Sequence, residues 1–423
     1  MAKQAKVKNS QGEEQNRLGG LLAQLRQQHG YSMQKLAQAT GVSAAYICRI
    51  ESGERRPSRD LLQTLADVLI PETSQAEKDE LLIAAGFAPV NFRNFMGRQD
   101  VLAIYQKALA EDPQDFKTYI ALVLSLIRGG QHEQARQHIT EGMQRFDDMV
   151  QLQALMAVLE LSKQNFAQAI RFQREAIRYY QMDSEQSRVN LRHTDLLLSL
   201  GVMNFEQGNG YAYARMRFLA EGKALEAEEQ AVLARASLAE AGQVFKDALA
   251  IDADDVYILD ELARVHFTLA YIQPTAESEA HWQACIEAFE QVVCSPNKQE
   301  LGYHALLQST SFLALAYSKA GKFDKSWFTL SIVEACLPNF WLIHYIKACY
   351  FGLRILTEHQ GQKTAASEHL FASCLIGLEK AASIADEQNR TREEALIDPD
   401  LEPIRRHCAK AFQASLSQGR SEA

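Results

Sequence analysis

Positively charged side chains concentrate at one end of this 423-residue sequence. Residues 1–70 contain ten Lys or Arg against six Asp or Glu, which gives this segment a net charge of +4, while the remainder carries −13. Ammonium and guanidinium groups bind phosphates, and their effect is local because salt screens charges beyond about 10 Å. A chain with a net charge of −9 can therefore still bind nucleic acid through one basic face.

Sequence motifs for catalysis are absent. The sequence has no phosphate-binding loop, no Gly-x-Ser-x-Gly nucleophile motif and no His-Glu-x-x-His zinc motif. Its eleven histidines are dispersed, and His132 and His138 lack the spacing of zinc ligands. The seven cysteines occur singly and are expected to be reduced thiols in helix cores. We therefore expect no enzyme activity, no metal and no cofactor.

Short helices must position the basic residues, and the hydrophobic periodicity predicts five of them within the first seventy residues. The first runs from about Leu18 to Gln28 and is stopped by Gly30. Ser32 is a suitable N-cap for a second helix over Met33–Ala39, because its hydroxyl can accept a hydrogen bond from a free backbone N–H of the first turn.

A turn at Gly41 connects the second helix to a third. Glycine can adopt the left-handed conformation that bends two helices toward a right angle without a Cβ clash. Ser43 is expected to cap the third helix, Ala44–Glu51, in which Ile47 and Ile50 face the core. This geometry is typical of a recognition helix, whose outer side fits a B-DNA major groove about 12 Å wide.

Glycine, apolar and proline positions in this region fall in the register of one known family. They are Leu25, Arg26, Leu36, Ala37, Gly41, Val42, Ser43, Ile47, the segment Ile50-Glu51-Ser52-Gly53-Glu54-Arg55-Arg56-Pro57-Ser58, Leu61, Leu65, Ala66 and Leu69. With these residues the region resembles the lambda-repressor-like, Xre-type helix-turn-helix family. The resemblance covers about one sixth of the chain. Arg26 and Glu51 match a pair that in this family connects the first helix to the end of the recognition helix.

The resemblance implies a set of DNA contacts. Phosphates would be held by Ser52, Arg55, Arg56 and Arg59 and by Ser32 with the backbone amides at the start of the second helix, which position the protein without reading sequence. Gln34 is a further predicted DNA contact. Base edges would be contacted by Ser43, Ala44, Ala45, Tyr46 and Arg49. An arginine can bind guanine with two hydrogen bonds, which contributes about 1–3 kcal/mol of discrimination, whereas alanine methyls can only contact thymine methyls. An ordinary solvated surface charge is the alternative for each basic residue.

The rest of the sequence has helical periodicity and a repeat. Ala135 and Ala169 are 34 residues apart, as are Gly142 and Ala176, and 34 residues is the period of the tetratricopeptide helical hairpin. The clearest single unit contains Leu313, Ala314, Tyr317, Gly321, Ser326, Leu330 and Pro338. The segment 398–405 also resembles the way many tetratricopeptide domains end. We predict six or seven hairpins and no strands.

The predicted fold class is all-α, with an N-terminal five-helix lambda-repressor-like helix-turn-helix domain followed by a tetratricopeptide-like α-solenoid. The predicted segments are a flexible N-terminal tail at 1–16, the DNA-binding domain at 17–70, a connector helix and linker at 71–97, the repeat domain at 98–412 and a flexible C-terminal tail at 413–423. No apolar run reaches the roughly 18 residues of a membrane span, and no signal peptide is recognisable. A cytoplasmic location without membrane contact is expected.

A tetratricopeptide-like array would have a concave groove lined by the first helix of each hairpin. In that family's geometry the groove side includes Lys117, Arg128, Gln151, Gln308, Ser311 and Lys319. Such grooves bind extended peptides, helices or proteins. An exposed polar helix face without a ligand is the alternative for each of these residues.

Two functions fit this organisation. The first is a sequence-specific transcriptional regulator that binds double-stranded DNA at a palindromic operator as a homodimer. Its repeat domain dimerises and binds a regulatory peptide, small molecule or protein. Its layout is similar to that of peptide-pheromone receptors of the RRNPP type. The second is a scaffold or antitoxin-like protein that binds a partner protein, with DNA binding only autoregulatory. A ligand that alters DNA affinity would distinguish the first from the second.

Overall fold

The structure is a computed structural model that describes residues 17–70, 74–91, 95, 98–182, 191–273, 275–384 and 388–417. The predicted N-terminal tail, 1–16, lies outside these residues, as does 418–423 of the predicted C-terminal tail. All regular elements within the described ranges are helical. The predicted fold class, all-α with a helix-turn-helix domain followed by tetratricopeptide-like hairpins, is confirmed.

The chain forms two compact units, residues 1–179 and residues 180–423. The first unit holds the N-terminal helices together with the first hairpins of the array. This division does not coincide with the connector at 71–97, where the sequence predicts a domain boundary, so that boundary stays a prediction. Among the described helices, none combines the length and the apolar character needed to cross a bilayer.

Five helices share the N-terminal core. They are α1 (17–28), α2 (Met33–Thr40), α3 (Ala44–Glu51), α4 (Arg59–Leu69) and α5 (Gln75–Ala84). Serine residues cap α2, α3 and α4, and in each case the side-chain oxygen accepts a hydrogen bond from a backbone N–H of the first turn, at 3.2–3.3 Å. These caps explain why the chain changes direction where it does, since each replaces a backbone hydrogen bond missing at a helix start.

The fifth helix corrects the sequence analysis. Four helices, not five, lie within residues 17–70, and α5 lies in the segment predicted as a connector. Leu81 and Leu82 of α5 are at most 1% exposed and belong to the same apolar cluster as Leu36, Ile47 and Leu62. The connector helix is therefore part of the core that holds the helix-turn-helix.

Asp79 of α5 holds the chain segment that follows this core. Its side chain is fully buried and accepts hydrogen bonds from the backbone N–H groups of Val90 at 2.6 Å and Asn91 at 2.9 Å. Lys78, beside it, forms an ion pair with Asp67 of α4 at 2.7 Å. A carboxylate that accepts two backbone hydrogen bonds fixes a turn strongly, because both bonds are charge-assisted.

Helical hairpins form the rest of the first unit. Their helices are α6 (Gln99–Glu111), α7 (Phe116–Arg128), α8 (His132–Arg145), α9 (Met149–Ser162) and α10 (Phe166–Met182). The residues that revealed the 34-residue period are buried: Ala135, Ala169 and Ala176 have no exposed surface, and Gly142 is also in the interior. Small residues at these positions let neighbouring helices approach closely, which explains the repeat.

Longer hairpins form the second unit. Its helices are α11 (His193–Ala220), α12 (Ala224–Leu249), α13 (Val256–Ile272), α14 (Thr275–Cys294), α15 (Tyr303–Lys319), α16 (Phe323–Cys336), α17 (Trp341–His359), α18 (Glu368–Ser383), α19 (Gln388–Ile397), α20 (Glu402–His407) and α21 (Ala409–Ser415). α21 extends past residue 412, where the sequence predicts a tail, and Leu416 after it is 1% exposed. This end is ordered because Leu416 packs into the apolar cluster of α17 and α18.

The cysteines are distributed differently from the prediction. Cys285, Cys349 and Cys374 are buried free thiols, as expected. Cys48, Cys294 and Cys336 are exposed instead, because each lies on the outer side of its helix. The hydrophobic pattern of a helix alone did not separate its buried face from its exposed face.

Two histidines lie side by side between α13 and α14. The Nδ1 atoms of His266 and His281 are 3.0 Å apart. Burial, together with the nearby His281 and Lys246, lowers the pKa of His266 from 6.5 to about 4. The pKa of His281 is lowered as well, mainly by burial. Both imidazoles are therefore held neutral at neutral pH.

We expect His266 to contribute stability that is lost as the pH falls from about 6.5 to about 4, whereas Glu261, whose pKa burial raises to about 7, and Asp400, whose pKa burial also raises, act in the opposite direction. In this interval the unfolded chain takes up protons at His266 that the folded chain does not bind, so the stability present above pH 6.5 is lost on acidification. The measurement is the thermal unfolding midpoint across this pH range. His266→Gln should therefore lose less stability, or gain more, on acidification than the parent chain, and His369→Gln, at an exposed position on α18, should match the parent chain. An equal slope in His266→Gln and the parent chain would contradict the assignment.

Candidate nucleic-acid interface

The turn before α3 fixes the direction of this helix. Gly41 has a φ of +71°, in the left-handed region, as the sequence predicts. Ser43 then caps α3 by accepting a hydrogen bond from the N–H of Tyr46 at 3.2 Å. Ile47 and Ile50 have no exposed surface. Because both isoleucines anchor one side of α3 in the core, the opposite side must face outward.

The outward side of α3 carries most of the predicted base contacts. Ser43, Ala45 and Arg49 are exposed, and the Nε of Arg49 donates a hydrogen bond to the Ala45 carbonyl at 3.3 Å. Ala44 and Tyr46 are half-buried and pack against the core of the N-terminal helices. Arg49 is thus the long, charged side chain on this surface, and Ser43 and Ala45 lie beside it at the N-terminal end.

A buried ion pair supports α3 from behind. The guanidinium of Arg26 in α1 donates two hydrogen bonds to the Glu51 carboxylate, at 2.6 and 2.8 Å, and a third to the Tyr31 carbonyl at 3.0 Å. The two side chains are 10% and 8% exposed. The hydrogen bond to Glu51 raises the pKa of Arg26 above its usual value, against the effect of burial. This is the connection between the first helix and the recognition helix that the family resemblance implied.

Sequence reasoning missed a second feature of the same contact. A Cβ atom at Gly19 of α1 would lie 2.2 Å from the carbonyl oxygen of Glu51. Only glycine permits this approach, which brings α1 against the last turn of α3. The signal was present in the sequence as a Gly19-Gly20 pair inside a helical segment, where glycine is unfavourable unless packing requires it.

Several predicted DNA contacts are exposed and close in sequence to α3. Ser32 and Gln34 at the start of α2 are exposed, although the Ser32 hydroxyl already accepts a hydrogen bond from the Lys35 N–H at 3.2 Å. Ser52 and Arg55 are exposed in the loop after α3. The backbone N–H of Arg55 donates to the Arg49 carbonyl at 2.9 Å, so the loop keeps a defined path.

Arg56 requires correction, whereas the phosphate contact of Arg59 stays a prediction. The guanidinium of Arg56 donates to the Ala85 carbonyl and lies 5.1 Å from the centroid of the Phe87 ring, so this residue fastens the segment after α5 instead of standing free for DNA. Arg59, the first residue of α4, is half-buried and lines a cleft that also contains Ala88. The sequence could not indicate this, because the contacting residues lie about 30 positions further along the chain.

Four of the six predicted groove residues are at least partly exposed, and the other two are corrections. Lys117 and Arg128 on α7 are exposed, and Gln151 on α9 and Gln308 on α15 are half-buried. Ser311 is a correction: it is fully buried, and its hydroxyl donates to the Leu307 carbonyl at 2.7 Å within its own helix.

Lys319 is also a correction. Its ammonium forms an ion pair with the buried Asp400, with side-chain exposures of 12% and 2%, and lies 4.2 Å from the centroid of the Tyr271 ring. It is part of an internal polar cluster, so it is not a groove residue. The partner of Lys319 comes from the segment that ends the array, 81 positions away in the sequence.

Among the residues that the structure describes, one group of side chains lies close enough together to hold a metal ion. Atoms of Cys349, Asp398 and Asp400 lie within 4.8 Å of one another in the second unit. Burial raises the pKa of the Cys349 thiol well above its usual value, so the thiolate that a metal needs is disfavoured. The Lys319 ammonium already neutralises Asp400, and the Tyr345 hydroxyl donates to Asp398 at 2.8 Å. These carboxylates therefore serve an internal hydrogen-bonded cluster.

Comparison with known families gives a match in the first unit. Residues 22–70 match the helix-turn-helix family model HTH_3. No curated protein matches the chain by sequence. Among solved structures, the chain is similar to a chain in the crystal structure of the APC/C hetero-tetramer Cut9–Hcn1, with 14% sequence identity and a TM-score of 0.30 over 88% of this chain. The chain spans 65% of the length of that solved protein.

We expect Arg26→Met to destabilise the N-terminal helices by about 3–5 kcal/mol, because it leaves the Glu51 carboxylate buried without its partner. The measurement is the free energy of unfolding from urea titration followed by circular dichroism. Arg178→Met removes an exposed pair with Glu175, with side-chain exposures of 67% and 40%, and should cost less than about 1 kcal/mol. Equal effects of the two substitutions would show that the Arg26–Glu51 pair does not support α3.

Proposed function

We propose that this protein is a DNA-binding transcriptional regulator. The observation that carries the proposal is the position of α3: Ile47 and Ile50 are completely buried, while Ser43, Ala45 and Arg49 are exposed on the other side. A helix anchored in this way can lie in a major groove with its outer side chains against the base edges. The match of residues 22–70 to the helix-turn-helix family supports the same role.

Sequence recognition would depend on few direct contacts. Arg49 is suited to two hydrogen bonds with a guanine, and Ala45 can offer only a methyl group to a thymine. Arg55 and Ser52 would hold phosphates beside the groove. With one long polar reader on the exposed face, part of the specificity would come from the shape and deformability of the DNA.

The proposed regulator acts as a homodimer on a palindromic operator in the cytoplasm, and its activity is binding, without catalysis. Two recognition helices about 34 Å apart can contact successive major grooves on one side of the duplex. Two contacts made together bind much more tightly than one, because the second is intramolecular. We propose that the helical hairpins supply the dimer contact.

The hairpins would also receive the signal, in the form of a regulatory peptide, small molecule or protein. Exposed apolar side chains support partner binding: on α16, Trp327, Phe328 and Ile332 are 40%, 69% and 46% exposed. The same observation favours the second candidate function, a scaffold or antitoxin-like protein that binds a partner and uses DNA only for autoregulation. A bound ligand that changes DNA affinity distinguishes the regulator from the scaffold.

DNA binding can be tested by selecting duplexes from a random pool with the full chain and then measuring affinity against salt. We expect Arg55→Gln to weaken all duplexes similarly and to make the slope of log K against log salt less negative by about 0.9, as loss of one phosphate contact requires. Arg49→Gln should instead remove a guanine preference worth about 1–3 kcal/mol. Arg178→Gln, at an exposed position on α10, is the matched control and should change neither quantity.

Two results would contradict this proposal. One is a selection that enriches no sequence, together with affinity that does not depend on salt. The other is an Arg49→Gln variant that selects the same motif with the same affinity as the parent chain. In the second case the exposed face of α3 would not contact the bases.

The dimer can be tested on the selected operator. We expect sedimentation to show two chains per duplex, and we expect a duplex with one half-site to bind at least tenfold more weakly than the complete palindrome. Inserting five base pairs between the half-sites should remove this advantage, because the second half-site then faces the other side of the duplex. Equal binding to all three duplexes would mean that the protein binds DNA as a monomer.

A further inference from the structure

A cleft in the first unit lies between α4, the segment after α5, and the first hairpin, α6 and α7. It has a volume of about 300 Å³, and its walls include Arg59, Gln63, Pro89, Tyr105 and Lys117. A second cleft of about 430 Å³ shares Arg59 and Ala88 with the first. These volumes are in the range of sites for small organic molecules.

Positive charge predominates around these two clefts. Arg56, Arg59, Lys107 and Lys117 line them, against the carboxylates Asp115 and Glu111. The Asp115 carboxylate is already engaged, because it caps α7 by accepting a hydrogen bond from the Thr118 N–H at 3.1 Å. Two of these cations, Arg56 and Arg59, come from the basic N-terminal segment, and Lys107 and Lys117 come from the first hairpin. Such a site favours an anion.

Tyr105 provides an independent indication of a ligand. Its side chain is 1% exposed and lines the first cleft, and its hydroxyl has no hydrogen-bond partner among the described residues. Burial raises the pKa of this hydroxyl, and the negative charge of Asp79 raises it further, so the group remains a neutral donor. A buried hydroxyl without a partner is costly, and an acceptor oxygen of a ligand would remove that cost.

Part of the lining is apolar, and the chain next to it is held in place. Ala88, Pro89 and Ala121 contribute this apolar part, and Val90 at its edge is held by the hydrogen bond from its N–H to Asp79. A wall held in this way costs little further ordering when a ligand binds. The cleft therefore combines a preformed apolar surface, two cationic side chains and one free hydroxyl donor.

We propose that this cleft binds a small organic anion. Its carboxylate or phosphate would lie on Arg59 and Lys117, its apolar body against Pro89 and Ala121, and one of its oxygens would accept a hydrogen bond from Tyr105.

Arg59 is also a residue that the helix-turn-helix resemblance assigns to a DNA phosphate. The bound anion and the DNA would compete for one guanidinium, so ligand binding lowers DNA affinity. This second part rests on the proposed function, whereas the binding site does not.

The binding site can be tested by calorimetry on the full chain with phenyl phosphate, benzoate, inorganic phosphate and neutral benzyl alcohol as probes. We expect saturable binding of phenyl phosphate or benzoate, and the difference between them identifies the preferred anion. Inorganic phosphate and benzyl alcohol should each bind at least tenfold more weakly, because each lacks one of the two recognition elements. Binding of benzyl alcohol as tight as that of the aromatic anions would overturn the proposal. So would the absence of binding heat with either aromatic anion up to about 10 mM, since a site that weak has little affinity.

Substitutions locate the site. Arg59→Gln and Tyr105→Phe should each weaken the better anion at least tenfold, and Arg178→Gln should not. Tyr105→Phe should also unfold at the same temperature as the parent chain or higher, because it removes a hydroxyl that has no partner. A purely structural tyrosine would show the reverse, a lower unfolding temperature with unchanged binding. Unchanged binding in both cleft variants would overturn the assignment.

The coupling to DNA is measured separately, by titrating the selected operator with and without saturating aromatic anion. We expect the anion to weaken operator binding at least fivefold in the parent chain and to have no effect in Arg59→Gln. Anion binding without any DNA binding would remove the proposed function and leave the site. DNA binding that is unaffected by a bound anion would remove the coupling and leave both the regulator and the site.

Discussion

The position of α3 depends on a buried ion pair at its far end. Arg26 reaches from α1 to Glu51 with two hydrogen bonds, and Gly19 lets the α1 backbone come close enough for this contact. Burial makes each charge costly unless the other is present, so the pair favours one relative placement of the two helices. The isoleucines of α3 then fill the core, and the outer face of the helix is determined by what its inner face must bury.

Much of this N-terminal architecture could be predicted from local sequence. Each of these features involves residues a few positions apart: the serine caps, the left-handed Gly41, and the spacing of Ile47 and Ile50. The local sequence therefore predicts the local structure directly. The same holds for the 34-residue period, because the small residues that define it are those buried between neighbouring helices. The site residues Arg49 and Arg55, which are exposed, came from the family resemblance.

The errors arise where partners are distant in the sequence. The environment of Arg56 is formed by Ala85 and Phe87, and that of Lys319 by Asp400, so no pattern around either cation reveals its burial. Ser311 was placed in a groove by the geometry of a related fold, yet its own helix turns that side inward. Long-range contacts decide which of several cations is free, and composition and spacing do not contain that information.

The inclusion of α5 in the N-terminal core changes what counts as the smallest unit able to fold. The family match ends at residue 70, but Leu81 and Leu82 cover the apolar surface of the preceding helices, and Asp79 fastens the backbone at residues 90 and 91. A fragment that ends at residue 70 would expose that apolar surface to water, and it would therefore be prone to aggregate. These N-terminal helices therefore cannot be exchanged between proteins at the limits of the family match, since their core and its contacts include residues up to Asn91.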